Sequence, residues 1–378
     1  MNPTADLRGR LHASIAECIE EAGGWLPCDR FMALALYEPA LGYYARGERL
    51  FGHGPGDGSD FVTAPELSPL FGATLAVQVL QALDAVQAAG GAPALWEFGA
   101  GSGALAAQLL DALGERVQRC HVVELSAPLQ ARQRERLARF GERVVWHAEL
   151  PARLQGAVVG NEVLDAMPVQ LLRWDGQRWF ERGVVAQMAD RADAPGAFAW
   201  ADRPTLRRPP TDPASDAALP PGYLTEIHPQ AEAFVRTLAD RLALGAAFFI
   251  DYGFPEHEYF HPQRVDGTLM CHRAHLADAD PLADIGEKDI TAHVNFSAIA
   301  LAAQDAGLDV AGYTSQARFL LNCGLLERLR GADARVLAPA QKLLAEHEMG
   351  ELFKVIALSR GLDWQPLGFA AGDRRHRL

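Results

Sequence analysis

The residues whose types and spacing could do chemistry are concentrated in one short stretch, LWEFGAGSGALAAQLL, at positions 95–110. Three glycines, Gly99, Gly101 and Gly103, stand between an apolar run and a helical pattern, both of which glycine weakens. A turn without side chains, between the first strand of a doubly wound sheet and its first helix, lets a nucleoside-bearing ligand reach backbone amides at the helix N-terminus. The stretch therefore predicts a binding site for such a ligand.

The spacing of the glycines separates two classes of ligand. A dinucleotide fingerprint reads GxGxxG, whereas this chain has ExGxGxG with Glu97 on the strand, which resembles the first motif of class I methyltransferases. Glu124 follows the second strand, where a carboxylate can accept hydrogen bonds from both ribose hydroxyls. Close helix packing would explain one glycine, but not three glycines and this acid. We therefore expect an S-adenosylmethionine site rather than an NAD site, and we include Leu125 in it.

A second polar stretch, GNEVLDAMP, ends the fourth predicted strand. Because the carboxyl ends of parallel strands share one edge of a sheet, its polar side chains should lie near the glycine turn. Glu162 and Asp165 are candidate catalytic carboxylates that orient a substrate, and Asn161 is a candidate hydrogen-bonding residue for the cofactor or substrate. The alternative is that Asp165 caps a following helix and Glu162 is solvated.

The elements that position these residues alternate between strand and helix from residue 93 onwards. This alternation predicts a parallel sheet with helices on both faces, a doubly wound, Rossmann-like α/β fold. Ahead of it we expect a helix that ends at Gly23 and Gly24, a glycine-rich loop over 42–60, and a helix that starts at Ser68. The predicted organisation is a helical N-terminal cap at 1–90, a core at 91–167 and 225–378, and a β-hairpin and Pro-rich insertion at 168–224.

The insertion and the C-terminal third break the alternation. Asp175 and Gly176 predict a hairpin, AFAWAD could add a third strand, and residues 204–222 read as an exposed connection or lid. This insertion could be a homodimer surface, a substrate platform or neither. A helix from Pro229 to Leu244 should lead into the strand GAAFFIDYG, helices should follow around 296–306, 315–330 and 339–348, and ELFKVIALSRG should form the last strand.

Composition limits the compartment and the partners. The 378 residues carry 35 basic and 48 acidic side chains, a formal charge of -13, which disfavours nucleic acid as a partner. Five cysteines without a CxxC pair favour a reducing compartment. The acidic residues Glu17, Glu20 and Glu21 argue against a transit peptide, and we expect no membrane span because no run reaches roughly twenty apolar residues. We expect a soluble, cytoplasmic protein.

Several longer stretches together resemble one family, the MidA-like methyltransferases. They are ALYEPALGYYARG, GDGSDFVTAPELSPLFGATLA, WEFGAGSGALA, GNEVLDAMPV, IDYGFPEHEYFHPQRVDGTLMCHRAH and EKDITAHVNFSAIA. The family includes relatives of the mitochondrial complex I assembly factor that methylates a protein arginine. The resemblance implies S-adenosylmethionine as cofactor, S-adenosylhomocysteine as product, and an arginine of a respiratory-complex subunit as acceptor. It also implies that Thr63, Pro65 and Glu66 close over the cofactor, although this segment could serve only to start the helix capped by Ser68.

A competing motif is HEYFH at residues 257–261, which matches the HExxH zinc pattern. That chemistry needs both histidines on one face of a helix. Pro255 and Pro262 flank the motif and leave barely one helical turn, so we expect no metal site. The remaining alternative is a non-catalytic module that binds the cofactor and assists assembly.

Overall fold

The computed structural model describes residues 3–46, 60, 62–187 and 197–378. The glycine-rich loop predicted over 42–60 lies mostly outside these residues, as do positions 188–196 of the insertion. The α-helices are α1 (Pro3–Glu21), α2 (Cys28–Tyr37), α3 (Ala64–Leu67), α4 (Pro69–Ala88), α5 (Ala104–Leu113), α6 (Ala127–Arg136), α7 (Pro229–Arg241), α8 (Glu256–Tyr259), α9 (Phe296–Asp305), α10 (Gln316–Asn322), α11 (Leu325–Leu329) and α12 (Ala334–Leu344).

The strands are β1 (Leu26–Pro27), β2 (Leu95–Phe98), β3 (Cys120–Val123), β4 (Val144–His147), β5 (Leu154–Asn161), β6 (Gln170–Trp174), β7 (Trp179–Ala186), β8 (Phe198–Pro204), β9 (Leu224–Ile227), β10 (Leu242–Phe254), β11 (Met270–Arg273), β12 (Leu276–Asp278), β13 (Asp289–Thr291), β14 (Val294–Asn295), β15 (Asp309–Ser315) and β16 (Phe353–Arg360). By their contacts the elements group into two compact units. One comprises residues 49–165, 232–255 and 296–378, and the other comprises 1–48, 166–231 and 256–295. The three-part division made from the sequence groups the chain differently and stays a proposal.

The first unit contains a large sheet with the strand order β15-β16-β10-β5-β2-β3-β4. The five strands from β10 to β4 are parallel, and β16 is antiparallel to both of its neighbours. Both faces are covered by helices: α4 and α5 pack on one face, and Phe234 of α7 contacts Phe98 and Phe249 on the other. The predicted doubly wound α/β fold is confirmed.

The helix α4 shows how local sequence sets an element of this core. Ser68 Oγ accepts a hydrogen bond from the N–H of Leu70, 3.3 Å away, and Pro69 occupies the first turn, as predicted. The side chains of Phe71, Leu75, Val79 and Leu83 are buried, and Leu70 packs partly buried against the same core. By length and composition alone α4 could also cross a membrane, contrary to the expectation that no stretch is long enough, but the core of this unit buries its apolar face.

The second unit contains a sheet with the order β1-β7-β6-β9, in which β8 also pairs with β7. The predicted hairpin joins β6 to β7, and Asp175 Oδ1 fixes its turn by accepting the N–H groups of Gln177 and Arg178, each at 2.8 Å. The predicted third strand is β8. The connection over 204–222 is more firmly held than expected, because buried Asp216 accepts a hydrogen bond of 3.0 Å from Trp179 Nε1.

Candidate functional site

The glycine turn joins β2 to α5 at the carboxyl edge of the large sheet. All three glycines have positive φ: 59° at Gly99, 51° at Gly101 and 80° at Gly103. Residues with a Cβ atom rarely adopt this region, so the sequence needs glycine to make the bend. Gly103 is the N-cap of α5, and the first N–H groups of a helix have no partner within it. The turn therefore presents a backbone without side chains beside a helix N-terminus that attracts polar groups.

Glu124 directly follows β3, the strand next to β2. The residue is buried, and its Oε1 accepts the N–H of Ser126 at 2.9 Å while its Oε2 accepts Gln133 Nε2 at 3.0 Å. Burial raises the pKa of Glu124, and these hydrogen bonds act in the opposite direction. The neighbouring Leu125 side chain is 78% exposed. The end of β3 thus offers a fixed carboxylate with free lone pairs beside an uncovered apolar side chain.

Glu97 lies inside β2, two residues before the turn, and is only 3% exposed. Burial, with a smaller contribution from Glu124, raises its pKa to about 8. Within the described part of the chain, its buried Oε2 has no hydrogen-bond partner. A carboxyl group in this state is uncommon in a core, because an unpaired polar atom there costs stability unless a ligand satisfies it.

Replacing Glu97 by Gln tests this burial through the pH dependence of stability. Between about pH 4.5 and about pH 8, Glu97 is protonated in the folded chain and ionised in the unfolded chain. The stability that the wild type gains from Glu97 is therefore complete below about pH 4.5 and is lost as the pH rises to about 8. Gln keeps the neutral shape at every pH. The free energy of unfolding of Glu97→Gln relative to the wild type should therefore rise across this window and level off above it. Urea denaturation at a series of pH values measures this free energy of unfolding, and Glu115→Gln, at an exposed position, is the control. A difference between Glu97→Gln and the wild type that does not change with pH would contradict the raised pKa of Glu97.

The segment from Thr63 to Glu66 is attached to the glycine turn. Glu66 accepts a short hydrogen bond from Ser102 Oγ, inside the turn, and pairs with Arg136 at 2.5 Å. Its side chain is only 4% exposed. The carbonyl oxygen of Pro65 accepts Gln108 Nε2 of α5 at 2.6 Å. Thr63 precedes α3 without capping it through its side chain, so helix capping does not account for this residue.

The end of β5 places the polar stretch GNEVLDAMP (residues 160–168), called the acceptor stretch or acceptor loop below, beside the glycine turn. Phe98 pairs with Gly160, so Gly99 and Asn161 leave the sheet next to each other. A Cβ atom built on Gly99 would lie 3.1 Å from Val163 Cγ2, which shows how closely the two segments approach. Asn161 Nδ2 donates to Glu162 Oε1 at 3.0 Å. Among the described residues, buried Asn161 Oδ1 has no partner.

Glu162 has a backbone conformation that the sequence did not predict. Its φ is 54°, in the left-handed region that a glutamate rarely occupies, and its N–H donates to the carbonyl of Ile250 at 2.9 Å. Such conformations cost about 1–3 kcal/mol and cluster at functional sites. The solvated surface residue of the alternative interpretation would not require this strain.

Asp165 does not cap a helix, because the chain continues from here to β6 without forming one. Its Oδ2 instead accepts a hydrogen bond of 2.5 Å from Tyr252 Oη, at the end of β10. Asp165 is buried, so the loop fixes this carboxylate rather than releasing it to solvent.

Asp251 holds this loop in place, whereas its position in the sequence suggested only that it could line the acceptor pocket or belong to a turn. Its Oδ2 accepts the N–H groups of Val163, Leu164 and Asp165 at 2.9–3.2 Å, so one buried carboxylate holds the whole loop. Burial, then the nearby carboxylates of Asp165 and Glu162, raises its pKa well above the ordinary value. The only signal in the sequence was an acid at the end of a strand, which more often marks an ordinary turn.

The HEYFH stretch lacks the helix that zinc chemistry needs. The helix α8 ends at Tyr259, and His261 lies beyond it, with Nδ1 accepting the N–H of Gln263 at 3.2 Å. Tyr259 is buried and donates to Glu226 Oε2 at 2.9 Å. Among the residues that the structure describes, no group of three or more His, Cys, Asp or Glu side chains could hold a metal.

Comparison of the chain with known protein families identifies one that matches it. The family described as "Putative S-adenosyl-L-methionine-dependent methyltransferase" matches residues 74–314, which is more than half of the chain. The match runs from α4 through the glycine turn, Glu124 and the acceptor stretch to β15, so it includes most of the site.

Curated relatives have names that specify an acceptor. The mitochondrial protein arginine methyltransferase NDUFAF7 of Danio rerio is 27% identical, over 89% of this chain and 84% of the relative. The Drosophila melanogaster homolog is also 27% identical, over 93% and 86%, and the Homo sapiens protein is 27% identical over 87% and 78%.

Solved structures include much more similar proteins. A Burkholderia thailandensis protein crystallised with S-adenosyl-homocysteine is 49% identical, with a TM-score of 0.91 over 100% of this chain and 99% of that one. A native crystal structure from the same organism is 48% identical, with a TM-score of 0.87 over the same shares. The chain therefore belongs to the S-adenosyl-L-methionine-dependent methyltransferases of the MidA-like family.

Proposed function

We propose that this chain methylates the guanidinium group of an arginine in a protein substrate, a subunit of a respiratory complex, using S-adenosylmethionine bound at the glycine turn. The observation that carries the proposal is the pair of carboxylates, Glu162 and Asp165, held in one loop that contacts the glycine turn. The names of the eukaryotic relatives supply the class of acceptor.

The residues present fit an adenosyl sulfonium ligand. We assign the ribose hydroxyls to Glu124, the adenine to the exposed Leu125, and the amino-acid tail to the turn at Gly99, Gly101 and Gly103. Glu97 Oε2 and Asn161 Oδ1 are buried polar atoms without hydrogen-bond partners in the described part of the chain, which suits a ligand that brings hydrogen-bonding groups of its own. Thr63, Pro65 and Glu66 would cover the bound tail.

The proposed chemistry depends on alignment. When bound, S-adenosylmethionine supplies a methyl group on a positively charged sulfur that leaves as a neutral thioether. Guanidinium is protonated at any ordinary pH and is a poor nucleophile, but two carboxylates can grip it and direct one nitrogen. Glu162 and Asp165 take this role, and Asn161 fixes the Glu162 carboxylate through the hydrogen bond between their side chains. The nitrogen loses one proton on methylation, and Glu162 is the group that accepts it.

The charge of the chain supports a cationic acceptor. With 48 acidic and 35 basic side chains, the net field attracts a basic peptide and repels nucleic acid. We keep the cytoplasm as the proposed location, because the five cysteines include no CxxC pair, although the named relatives are mitochondrial.

Replacing Glu66 by Ala tests the covering segment. The variant removes the carboxylate that joins Ser102 and Arg136, so the affinity for S-adenosylhomocysteine, measured by calorimetry, should fall about ten-fold. Asp111→Ala is the matched control, because it removes an ion pair with Arg139 whose side chains are both more than half exposed. Unchanged affinity in Glu66→Ala would restrict the segment to a structural role.

The acceptor is tested by labelling. Cofactor carrying an isotopic methyl group is incubated with the protein and lysate from a strain that lacks it, and labelled peptides are sequenced by mass spectrometry. We expect the label on an arginine side chain of one respiratory-complex subunit. Label on lysine, on a carboxylate or on nucleic acid would contradict the proposed acceptor. Binding of S-adenosylhomocysteine without any label would favour an assembly module.

A further inference from the structure

Gln133 is a buried polar residue in the middle of α6, a helix of otherwise polar character. It is 0% exposed and lies between buried Leu129 and Leu137, one turn away on either side. A polar side chain on the buried face of a helix needs partners for all its strong hydrogen-bonding groups. Gln133 has three such partners, and two of them belong to the proposed cofactor site.

The amide of Gln133 joins the two halves of that site. Its Nε2 donates to the carbonyl oxygen of Gly101 at 3.0 Å and to Glu124 Oε2 at 3.0 Å. Its Oε1 accepts Trp146 Nε1 at 3.1 Å. Because an indole N–H can only donate, Trp146 fixes which end of the amide faces the site. One NH₂ group therefore bridges the glycine turn and the carboxylate after β3.

We propose that Gln133 is a positioning residue that sets the spacing between the glycine turn and Glu124, so that tail and ribose of the cofactor are recognised together. The inference rests on the proposed assignment of these two groups. The hydrogen bonds to the Gly101 carbonyl and to Glu124 need two N–H donors from one uncharged group, and the NH₂ of an amide provides them. It also stabilises the charged form of Glu124 against the effect of burial, so that the carboxylate can accept both ribose hydroxyls.

In the variant Gln133→Glu, the proposed positioning role of residue 133 should make the affinity for S-adenosylhomocysteine depend on pH. A protonated Glu side chain has one O–H donor and can serve Glu124, whereas the ionised form opposes both Glu124 and the Gly101 carbonyl. The affinity for S-adenosylhomocysteine, relative to the wild type at the same pH, should fall at least about ten-fold between about pH 6 and about pH 9. Calorimetric titration at several pH values measures it.

Gln130→Glu is the matched control. Gln130 lies one turn earlier on α6, and its Nε2 donates to the backbone carbonyl of Glu124 at 2.8 Å rather than to the carboxylate. Because Gln130 is only partly buried, whereas Gln133 is fully buried, an ionised carboxylate at 130 can turn towards solvent, and the same charge change should leave the wild-type pH profile within about three-fold. A wild-type profile in Gln133→Glu, or the same decline in both variants, would overturn the proposal.

A second variant, Gln133→Met, separates positioning from folding. It keeps the side-chain length and removes all three hydrogen bonds. At a temperature where calorimetry shows the variant folded, its affinity for S-adenosylhomocysteine should be at least about ten-fold weaker than that of the wild type. Wild-type affinity would reduce Gln133 to a structural role. If the wild type itself fails to bind, the assignment of the cofactor site fails instead, so the two failures are distinguishable.

Discussion

The variant Glu162→Gln is expected to methylate its acceptor at least about a hundred-fold more slowly than the wild type, while its affinity for S-adenosylhomocysteine stays within about two-fold. Gln has the same length and can still contact Asn161, so the loop should persist. It lacks the negative charge that we propose orients a guanidinium, and it lacks the base that we propose accepts the proton. Glu124 and the glycine turn, which we propose bind the cofactor, are untouched, and for this reason turnover and cofactor binding should respond differently.

Single-turnover rates with labelled cofactor measure the effect of this change, with Glu149→Gln as control because Glu149 is exposed and outside the loop. Glutamine and glutamate have the same strain energy at a φ of 54°, so the substitution at residue 162 should not change the backbone conformation of the loop. Turnover close to the wild-type value would remove Glu162 from the mechanism and leave Asp165 as the remaining candidate.

The second large effect concerns the glycine turn itself. In Gly99→Val, a β-branched residue must adopt a φ of 59°, and its Cβ would lie 3.1 Å from Val163 Cγ2. The side chain fills the gap between the turn and the acceptor loop and pushes them apart. Affinity for S-adenosylhomocysteine should fall at least about a hundred-fold, because the backbone amides can no longer approach the ligand.

Strain alone could also weaken a protein, and Gly114→Val controls for it. Gly114 ends α5 with a φ of 54°, close to that of Gly99, and a Cβ atom there meets nothing within 4 Å. Because its ψ of -131° lies in a region that is essentially restricted to glycine, this variant should lose about 3 kcal/mol of stability, and it should keep its cofactor affinity. If Gly114→Val lost binding as severely as Gly99→Val, the loss would reflect unfolding rather than an obstructed turn.

Sequence reasoning succeeded where a local pattern has one structural solution. Three glycines after an apolar strand predicted a turn without side chains, and the structure has a turn there in which all three glycines have positive φ. Ser68 before a proline required a helix start, and Asp175 with Gly176 required a hairpin. In each of these places the residues that determine the element are neighbours in the chain.

The order and direction of the strands could not be predicted from local sequence patterns. The last strand, β16, was predicted as a strand, but a fully buried apolar run gives no direction, and it lies antiparallel between β10 and β15. The strand β15 was missed because DVAGYTS has neither a continuous apolar run nor clean alternation. The predicted helix to Leu244 ends at Arg241, because pairing with β5 extends β10 back to Leu242.

The supporting residues of the site depend on contacts between distant positions. Asp251 holds residues 163–165 from another strand, which no window of sequence around either segment could indicate. Gln133 has one recognisable signal in the sequence, because it lies on the same face of α6 as Leu129 and Leu137, where an apolar residue would be usual. A polar residue on a buried helical face is a signal worth testing for partners.

Binding of the adenosyl cofactor by the glycine turn and Glu124 can be measured by calorimetric titration of the wild-type chain with S-adenosylhomocysteine. We expect saturable heat with one molecule bound per chain, at a dissociation constant well below about 1 mM. Absence of saturable heat up to that concentration would contradict it.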